Sequence, residues 1–207
     1  MTSRNALAII SFAFCLSLTA GCLSGRDYVP IDKNSLRGSG KLYFIPLEDF
    51  PISTVQHLVD HYKDKYGLSI EVLPSLPLNP SVLNTDRQQL IAEEVIALIE
   101  SAFPGLANDR EAILIGLTTE DMYIAKYDWR FSFSYRQEGR YAVVSNARMN
   151  LGLSLLEGEK LRSRLRKMVT KNIGILYYHL AQSGDPRSVL YRDVGGISEL
   201  DRMGEDF

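Results

Sequence analysis

Residues 112–117, AILIGL, form an uninterrupted apolar stretch in the middle of the chain. A strand that is apolar at every position is typical of a sheet covered on both faces, whereas a half-exposed strand alternates apolar and polar residues. The stretch therefore predicts a strand buried on both faces of its sheet.

The segments on either side predict the rest of the fold. Strands are expected at residues 41–47, 68–73, 131–136 and 141–147, and Glu138-Gly139 forms a turn between the last two. Helices are expected at residues 54–66, from the capping box of Thr85 and Gln88 to Ala102, and at residues 158–180, with one further turn at 198–203. This order implies one α+β domain over residues 41–207, a mixed sheet packed with three helices.

Three stretches of this domain resemble the archaemetzincins, single-domain zinc peptidases of the metzincin clan. The first is 113–123, ILIGLTTEDMY; the second is 141–148, YAVVSNAR; the third comprises 189–191, VLY, and 199–204, ELDRMG. The resemblance implies a metzincin-like fold, with a strand and turn from the first stretch and a second strand that ends near Arg148.

In archaemetzincins the long helix carries the motif HExxHxxGxxH, which supplies three zinc ligands and a general base. The motif is degenerate in this chain. In the register that we favour, its five defining positions are held by Thr170, Lys171, Gly174, Tyr177 and Leu180. A register shifted by one residue brings His179 to the third ligand position but leaves Val169 and Ile173 at the other two.

These replacements remove the chemistry that the motif supplies. A charged lysine has no acceptor with which to act as a base, and glycine has no side chain to bind a metal. Leu190 stands where the family places a methionine beneath the metal. We therefore expect an inactive homologue of the zinc peptidases, with no cofactor, no catalytic residue and no metal ligand.

His57 and His61 form the strongest rival metal site, because residues four apart share one face of a helix. The glutamate of HExxH is missing between them, and nearby lysines favour a solvated helix face instead. Ligands relocated to His57, His61 and His179 remain an alternative that would make the protein an active metallopeptidase.

A remnant of the substrate cleft is a second candidate site. Its expected residues are Tyr178, His179, Tyr191 and Arg192. Aromatic walls with a few cations suit a peptide or protein ligand. Ordinary core packing of the tyrosines is the alternative, and would make the protein a purely structural one.

The N-terminal segment predicts where the protein is found. Arg4 and an apolar run over residues 6–18 are typical of a secretory signal, because the run is too short to span a bilayer. Residues 18–22, LTAGC, resemble the lipobox of bacterial lipoproteins. This implies a signal peptide at 1–21, a lipid on Cys22 and a flexible tether at 22–40, rich in Ser, Gly, Pro and Asn. Ordinary secretion with a free Cys22 is the alternative.

Charge and cysteine content limit the partners. The chain has 23 basic and 25 acidic residues, so no basic excess attracts nucleic acid. Its two cysteines, Cys15 and Cys22, both precede the domain, which excludes a disulfide and a cysteine-based zinc site there. We expect a non-catalytic binding or interaction module of the bacterial cell envelope, anchored by its lipid. The absence of aspartate at position 23 favours the outer membrane, with the domain facing the periplasm.

Overall fold

The computed structural model describes residues 28–127, 129–154 and 158–207. The predicted signal peptide, Cys22 and the first residues of the predicted tether lie outside these ranges. The main sheet has five strands in the order β2-β1-β5-β8-β7, in which β7 is antiparallel to β8 and the other neighbours are parallel. Its strands are β1 (Lys41–Pro46), β2 (Ile70–Val72), β5 (Ala112–Thr118), β7 (Ser134–Gln137) and β8 (Tyr141–Ser145).

The prediction of a doubly buried central strand is confirmed, because all seven residues of β5 are buried. Alternate residues of the sheet belong to two hydrophobic clusters, one on each face. The first cluster includes α1 (Ile52–Tyr66), α4 (Gly158–Leu176) and α5 (Ile197–Arg202); the second includes α2 (Ala92–Ala102), next to the short α3 (Pro104–Asn108). The architecture is α+β, as predicted. Of the two short helices, α5 corresponds to the turn expected at 198–203, and α3 was not predicted.

A small second sheet replaces the predicted start of the second helix. Its strands are β3 (Leu83–Asn84), β4 (Gln89–Ile91) and β6 (Met122–Tyr123). The capping-box prediction at Thr85 and Gln88 was wrong. Gln88 lies at φ +52 in a turn, and its side-chain amide donates to the Thr85 carbonyl at 2.6 Å. The helix begins only at Ala92 because β4 first pairs with β6.

The long helix is shorter than predicted, and this positions the residues that follow it. The backbone N–H groups of Tyr177 and Tyr178 both donate to the Ile173 carbonyl, and His179 has φ +54. The chain therefore leaves the helix after Leu176. None of the helices within the described ranges combines the length and apolar character needed to span a bilayer.

Residues 28–40, the described part of the predicted tether, contact the domain at the end of α4. The Ser39 N–H donates to the Tyr177 carbonyl at 3.0 Å, and Ile31 and Leu36 pack against the first cluster. Gly38 lies so close to the Tyr177 ring that a Cβ there would be 1.9 Å from Cε1. Only glycine fits at this contact.

Candidate functional site

An open cleft of about 790 Å³ lies between the edge strand β7, helix α4 and the segment 192–195. One wall is formed by β7 and the residues before it, from Trp129 to Arg136. Met168 and Lys171 of α4 and Arg192 to Gly195 line the cleft from the other sides, and Ile124, Tyr127 and Gln182 complete the lining. Because β7 pairs on one side only, this cleft includes the free edge of the main sheet.

Lys171 is the charged residue that α4 contributes to the cleft, and its side chain is almost fully buried, with 3% exposed. Its ammonium donates to the backbone carbonyl of Tyr191. Burial, and to a smaller extent nearby Arg136, lower the pKa of Lys171 to about 8, while Asp193 acts in the opposite direction. At neutral pH the side chain is therefore mostly protonated.

Arg136 of β7 brings a second cation to the same cleft. The Nη1 of Arg136 donates to Oδ1 of Asn172 at 3.0 Å. Burial lowers the pKa of the guanidinium, but its ordinary pKa is so high that the group stays charged. Asn172 is fully buried, and its amide donates to Ser134 Oγ at 2.9 Å and to the Met168 carbonyl at 2.7 Å. These bonds fix β7 against α4 and hold the guanidinium in place.

Two stacked aromatic rings form the outer rim. The ring centroids of Tyr127 and Trp129 are 4.8 Å apart with 23° between their planes, and the side chains are 43% and 54% exposed. The wall behind them is held by Arg87, whose Nη2 donates to the carbonyls of Trp129 and Arg130 at 2.9 and 3.0 Å. The strand predicted at residues 131–136 begins only at Ser134 because these bonds hold the preceding residues as a loop.

Comparison with known proteins adds the fold family. No protein-family model matches the sequence, and no curated protein does. Solved structures do match. Archaemetzincin from Methanopyrus kandleri is 22% identical, with a TM-score of 0.62 over 81% of this chain and 89% of that one. The fold is that of an archaemetzincin.

Two further structures agree. Archaemetzincin from Archaeoglobus fulgidus, complexed with malonate, is 21% identical with a TM-score of 0.63, over 81% of this chain and 94% of that one. A zinc-dependent peptidase from Methanocorpusculum labreanum is 17% identical with a TM-score of 0.64, over 80% and 95% of the two chains. These structural similarities show an archaemetzincin-like fold, and the prediction of a metzincin-like architecture is confirmed.

Within this fold, the five predicted motif positions do not share one face. Thr170 is fully buried and its hydroxyl is 3.0 Å from the Tyr62 hydroxyl of α1. Gly174 is turned towards Phe207 and Leu190 rather than towards the cleft. Tyr177 and Leu180 follow the end of the helix, where the Leu180 N–H donates to the Gly174 carbonyl at 2.9 Å. Of the five, Lys171 lines the cleft.

The four predicted cleft residues are also divided. Arg192 lines the cleft, and Tyr191 supplies only the carbonyl that accepts from Lys171. Tyr178 is buried against Tyr177 and Phe207, with ring centroids 4.9 and 5.5 Å apart. His179 is exposed, with its Nε2 2.7 Å from Ser39 Oγ. The tyrosines pack in the core or at its edge and leave the cleft open.

The side chains that line the cleft do not provide the ligands of a zinc site. Among the described residues that line it, Asp193 is the one carboxylate, and there is no histidine or cysteine. Across the described ranges, no three His, Cys, Asp or Glu side chains are placed to hold a metal ion together. Catalytic zinc typically needs three such ligands.

The histidine pair on α1 lies in a basic setting. Burial lowers the pKa of His61, and Lys65 and Arg166 lower it further, against smaller opposing effects of Glu205 and Asp206. Neighbouring cations that disfavour a protonated imidazole also disfavour a bound dication. His57 is exposed beside Arg162 and Arg166.

Sequence reasoning missed Arg136, Asn172 and Trp129. The signal for Asn172 was a run of three polar residues, Thr170-Lys171-Asn172, between apolar residues of the stretch 168–176. Arg136 continues the polar side of the strand that was predicted at 131–136. Trp129 carried no signal beyond being the single tryptophan of the chain.

Proposed function

We propose that this chain is a lipid-anchored protein of the bacterial cell envelope that binds a peptide or protein segment in its cleft without hydrolysing it. The observation that carries the proposal is Lys171, a cation at the place where the cleft meets α4. A mostly protonated ammonium repels a divalent cation and has no lone pair with which to ligate one. The fold of a zinc peptidase is thus combined with a cleft unsuited to zinc.

The degenerate motif supports this proposal in whichever register it is aligned. Lys171 and Asn172 are the polar residues that α4 places at the cleft and at the base of β7. Neither serves as the general base of a zinc-bound water at neutral pH, since lysine is mostly charged and an amide does not take up a proton. Neither of these two side chains can therefore activate a water molecule for peptide hydrolysis.

The open cleft favours a binding module over a purely structural protein. Tyr177 and Tyr178, which would have filled the cleft in a structural protein, pack against each other and against Phe207 instead. A cleft of about 790 Å³ with exposed aromatic rings has the size and character of a ligand site. We therefore place the ligand in this cleft.

The second candidate function, an active metallopeptidase with relocated ligands, needs His57, His61 and His179 to act together. The side chain of His179 lies beyond the end of α4 and is hydrogen-bonded to Ser39. In the part of the chain that the structure describes, no three side chains are placed to hold a metal ion together. Metal analysis and a peptidase assay of the purified full chain test both functions. We expect substoichiometric zinc and no chelator-sensitive hydrolysis.

The control for this experiment is the variant His57→Ala/His61→Ala. Equal zinc content in this variant and the wild type excludes the histidine pair as a metal site. Stoichiometric zinc in the wild type, together with peptidase activity that a chelator abolishes, would overturn the non-catalytic proposal.

A further inference from the structure

Two cations, Lys171 and Arg136, lie at the base of the cleft. Within the described residues, no Asp or Glu oxygen lies within ion-pair distance of either Lys171 or Arg136, although eleven other ion pairs form. Lys171 is 3% exposed and Arg136 is partly buried. Buried lysine and arginine are rarely found without a partner, because removing a charge from water is costly.

Both groups have N–H donors beyond those that bond to acceptors among the described residues. The ammonium of Lys171 has three N–H groups, of which one is used by the Tyr191 carbonyl. The guanidinium of Arg136 has five, and Asn172 accepts from one. Asn172 connects the two elements, so the cations are held on opposite walls of one opening.

The charge of the cleft is opposite to that of the chain. Among the described residues, four cations line it, Arg130, Arg136, Lys171 and Arg192, against the one carboxylate of Asp193. The whole chain carries a net charge of −2. Positive charge concentrated in a cleft of a negatively charged protein attracts and orients an anionic ligand.

We propose that Lys171 and Arg136 together bind a carboxylate group of a peptide whose side chains lie on the aromatic rim of Tyr127 and Trp129. This inference deepens the proposed function and rests on it. Arginine takes a carboxylate through two parallel N–H donors, and a lysine ammonium adds a point charge. Apolar side chains at the cleft, such as Phe133 and Met168, suit a peptide better than a small inorganic anion.

Three matched pools of hexapeptides, N-acetylated with a tritium label and free of tryptophan, test the proposal with the full chain immobilised in detergent. The first pool has a free C-terminal carboxylate and no acidic residue. The second has an amidated C-terminus and one Asp or Glu, and the third is amidated without acidic residues. The emission of Trp129, the single tryptophan, reports whether a pool occupies the cleft.

We expect capture of at least one carboxylate pool to exceed that of the neutral pool by about tenfold or more, as bonds to charged groups allow. The first two pools distinguish a chain terminus from an acidic side chain. Lys171→Met and Arg136→Gln should each reduce this preference about tenfold, and Arg136→Lys should restore part of it. Arg110→Gln, which removes a charge from an exposed position outside the cleft lining, is the control.

The failures of the two proposals are distinguishable. Equal capture of all three pools with a change in Trp129 emission would overturn the carboxylate site and leave the peptide-binding function intact. Unchanged preference in both folded variants would also overturn it, with folding checked by thermal melting. Capture of no pool would overturn the carboxylate site and the binding function together.

Discussion

The ring of Phe207 occupies the space into which a side chain at Gly174 would extend. A Cβ at position 174 would lie 2.4 Å from Phe207 Cε1 and 2.9 Å from Leu190 Cδ2. Phe207 is itself 3% exposed and packs edge-on against Tyr66 and Tyr178. The absence of a side chain at this turn of α4 is therefore a packing requirement of the core.

Gly174→Ala should destabilise the protein by about 1–3 kcal/mol, because overpacking outweighs the roughly 1 kcal/mol that alanine gains over glycine in a helix. Urea unfolding measures the change. Gly105→Ala is the matched control, since nothing lies within 4 Å of a Cβ there, and it should be neutral or stabilising. In a Phe207→Ala background the cost of Gly174→Ala should largely disappear. Equal costs in both backgrounds would contradict the packing explanation.

The buried ammonium of Lys171 predicts a dependence of stability on pH. Because its folded pKa of about 8 lies below the ordinary 10.5, the unfolded chain binds more protons between these values, and stability contributed by this group rises with pH there. The effect amounts to roughly 2 kcal/mol between pH 8 and 10. Raised pKa values of Tyr62 and Tyr66 act in the opposite direction near pH 10.

Comparison with Lys171→Met isolates this contribution, because the tyrosines are common to both proteins. The free energies of unfolding of the wild type and the variant, measured at pH 7, 8, 9 and 10, should become more similar as pH rises. At pH 7 the variant should be the more stable of the two. Arg136 and Asp193 are the charges that face Lys171, and both are present in the variant as well. Parallel curves for the two proteins would show that the lysine titrates normally.

The ion pair between Arg164 and Asp201 should be a major element of stability. The guanidinium is 2% exposed, and its Nε and Nη2 donate to the two Asp201 oxygens at 2.7 and 2.8 Å. Asp201→Asn should cost about 1.5–3 kcal/mol, because two hydrogen bonds of the buried guanidinium lose their charged acceptor. Glu159→Gln, at an exposed ion pair, should cost far less.

Low pH should remove the stabilisation that the Arg164–Asp201 ion pair contributes. Hydrogen bonds from Arg164 hold the pKa of Asp201 below its ordinary 3.8. The stabilisation is therefore complete above that value and is lost as pH falls through the lower, folded-state pKa. An acid-unfolding curve for Asp201→Asn that keeps the wild-type dependence below pH 4 would argue against this assignment.

Lipid attachment at Cys22 is tested by Cys22→Ser in a bacterial host. We expect the wild-type chain to incorporate radiolabelled palmitate and to fractionate with membranes, and the variant to lose both properties. Cys15→Ser is the control, since that residue belongs to the predicted signal peptide. A variant that remains labelled would exclude Cys22 as the acylated residue.

The sheet could be predicted from sequence because its signal is local. The apolar run of β5 and the Glu138-Gly139 turn need no knowledge of the rest of the chain, and both residues of that turn have positive φ, at +54 and +71. The capping pattern of Thr85 and Gln88 is equally local, but pairing of β4 with β6 overrode it. Pairing between strands that are distant in the sequence cannot be recognised from a few neighbouring residues.

The face of α4 that meets the cleft could not be predicted. Every residue from Lys167 to Gly174 is buried, so periodicity along this helix does not distinguish the side that packs on α1 from the side that lines the cleft. Thr170 and Lys171 were both candidates, and only their partners, the Tyr62 hydroxyl and the Tyr191 carbonyl, separate them. The carboxylate site on β7 was missed for the same reason, because Arg136 comes next to Lys171 only through the fold.

The contact of Ser39 with Tyr177 affects how a pulling force on the N-terminal side of the chain is transmitted to the domain. A pull on the chain ahead of Tyr28 acts on the contacts of Ile31 and Leu36 with the core, then on the Gly38 and Ser39 contacts with Tyr177, and only then on the first strand of the sheet. A fragment trimmed back to Lys41 would bare one side of the Tyr177 ring and leave its carbonyl to water. Shortened versions of the domain should therefore keep residues 28–40.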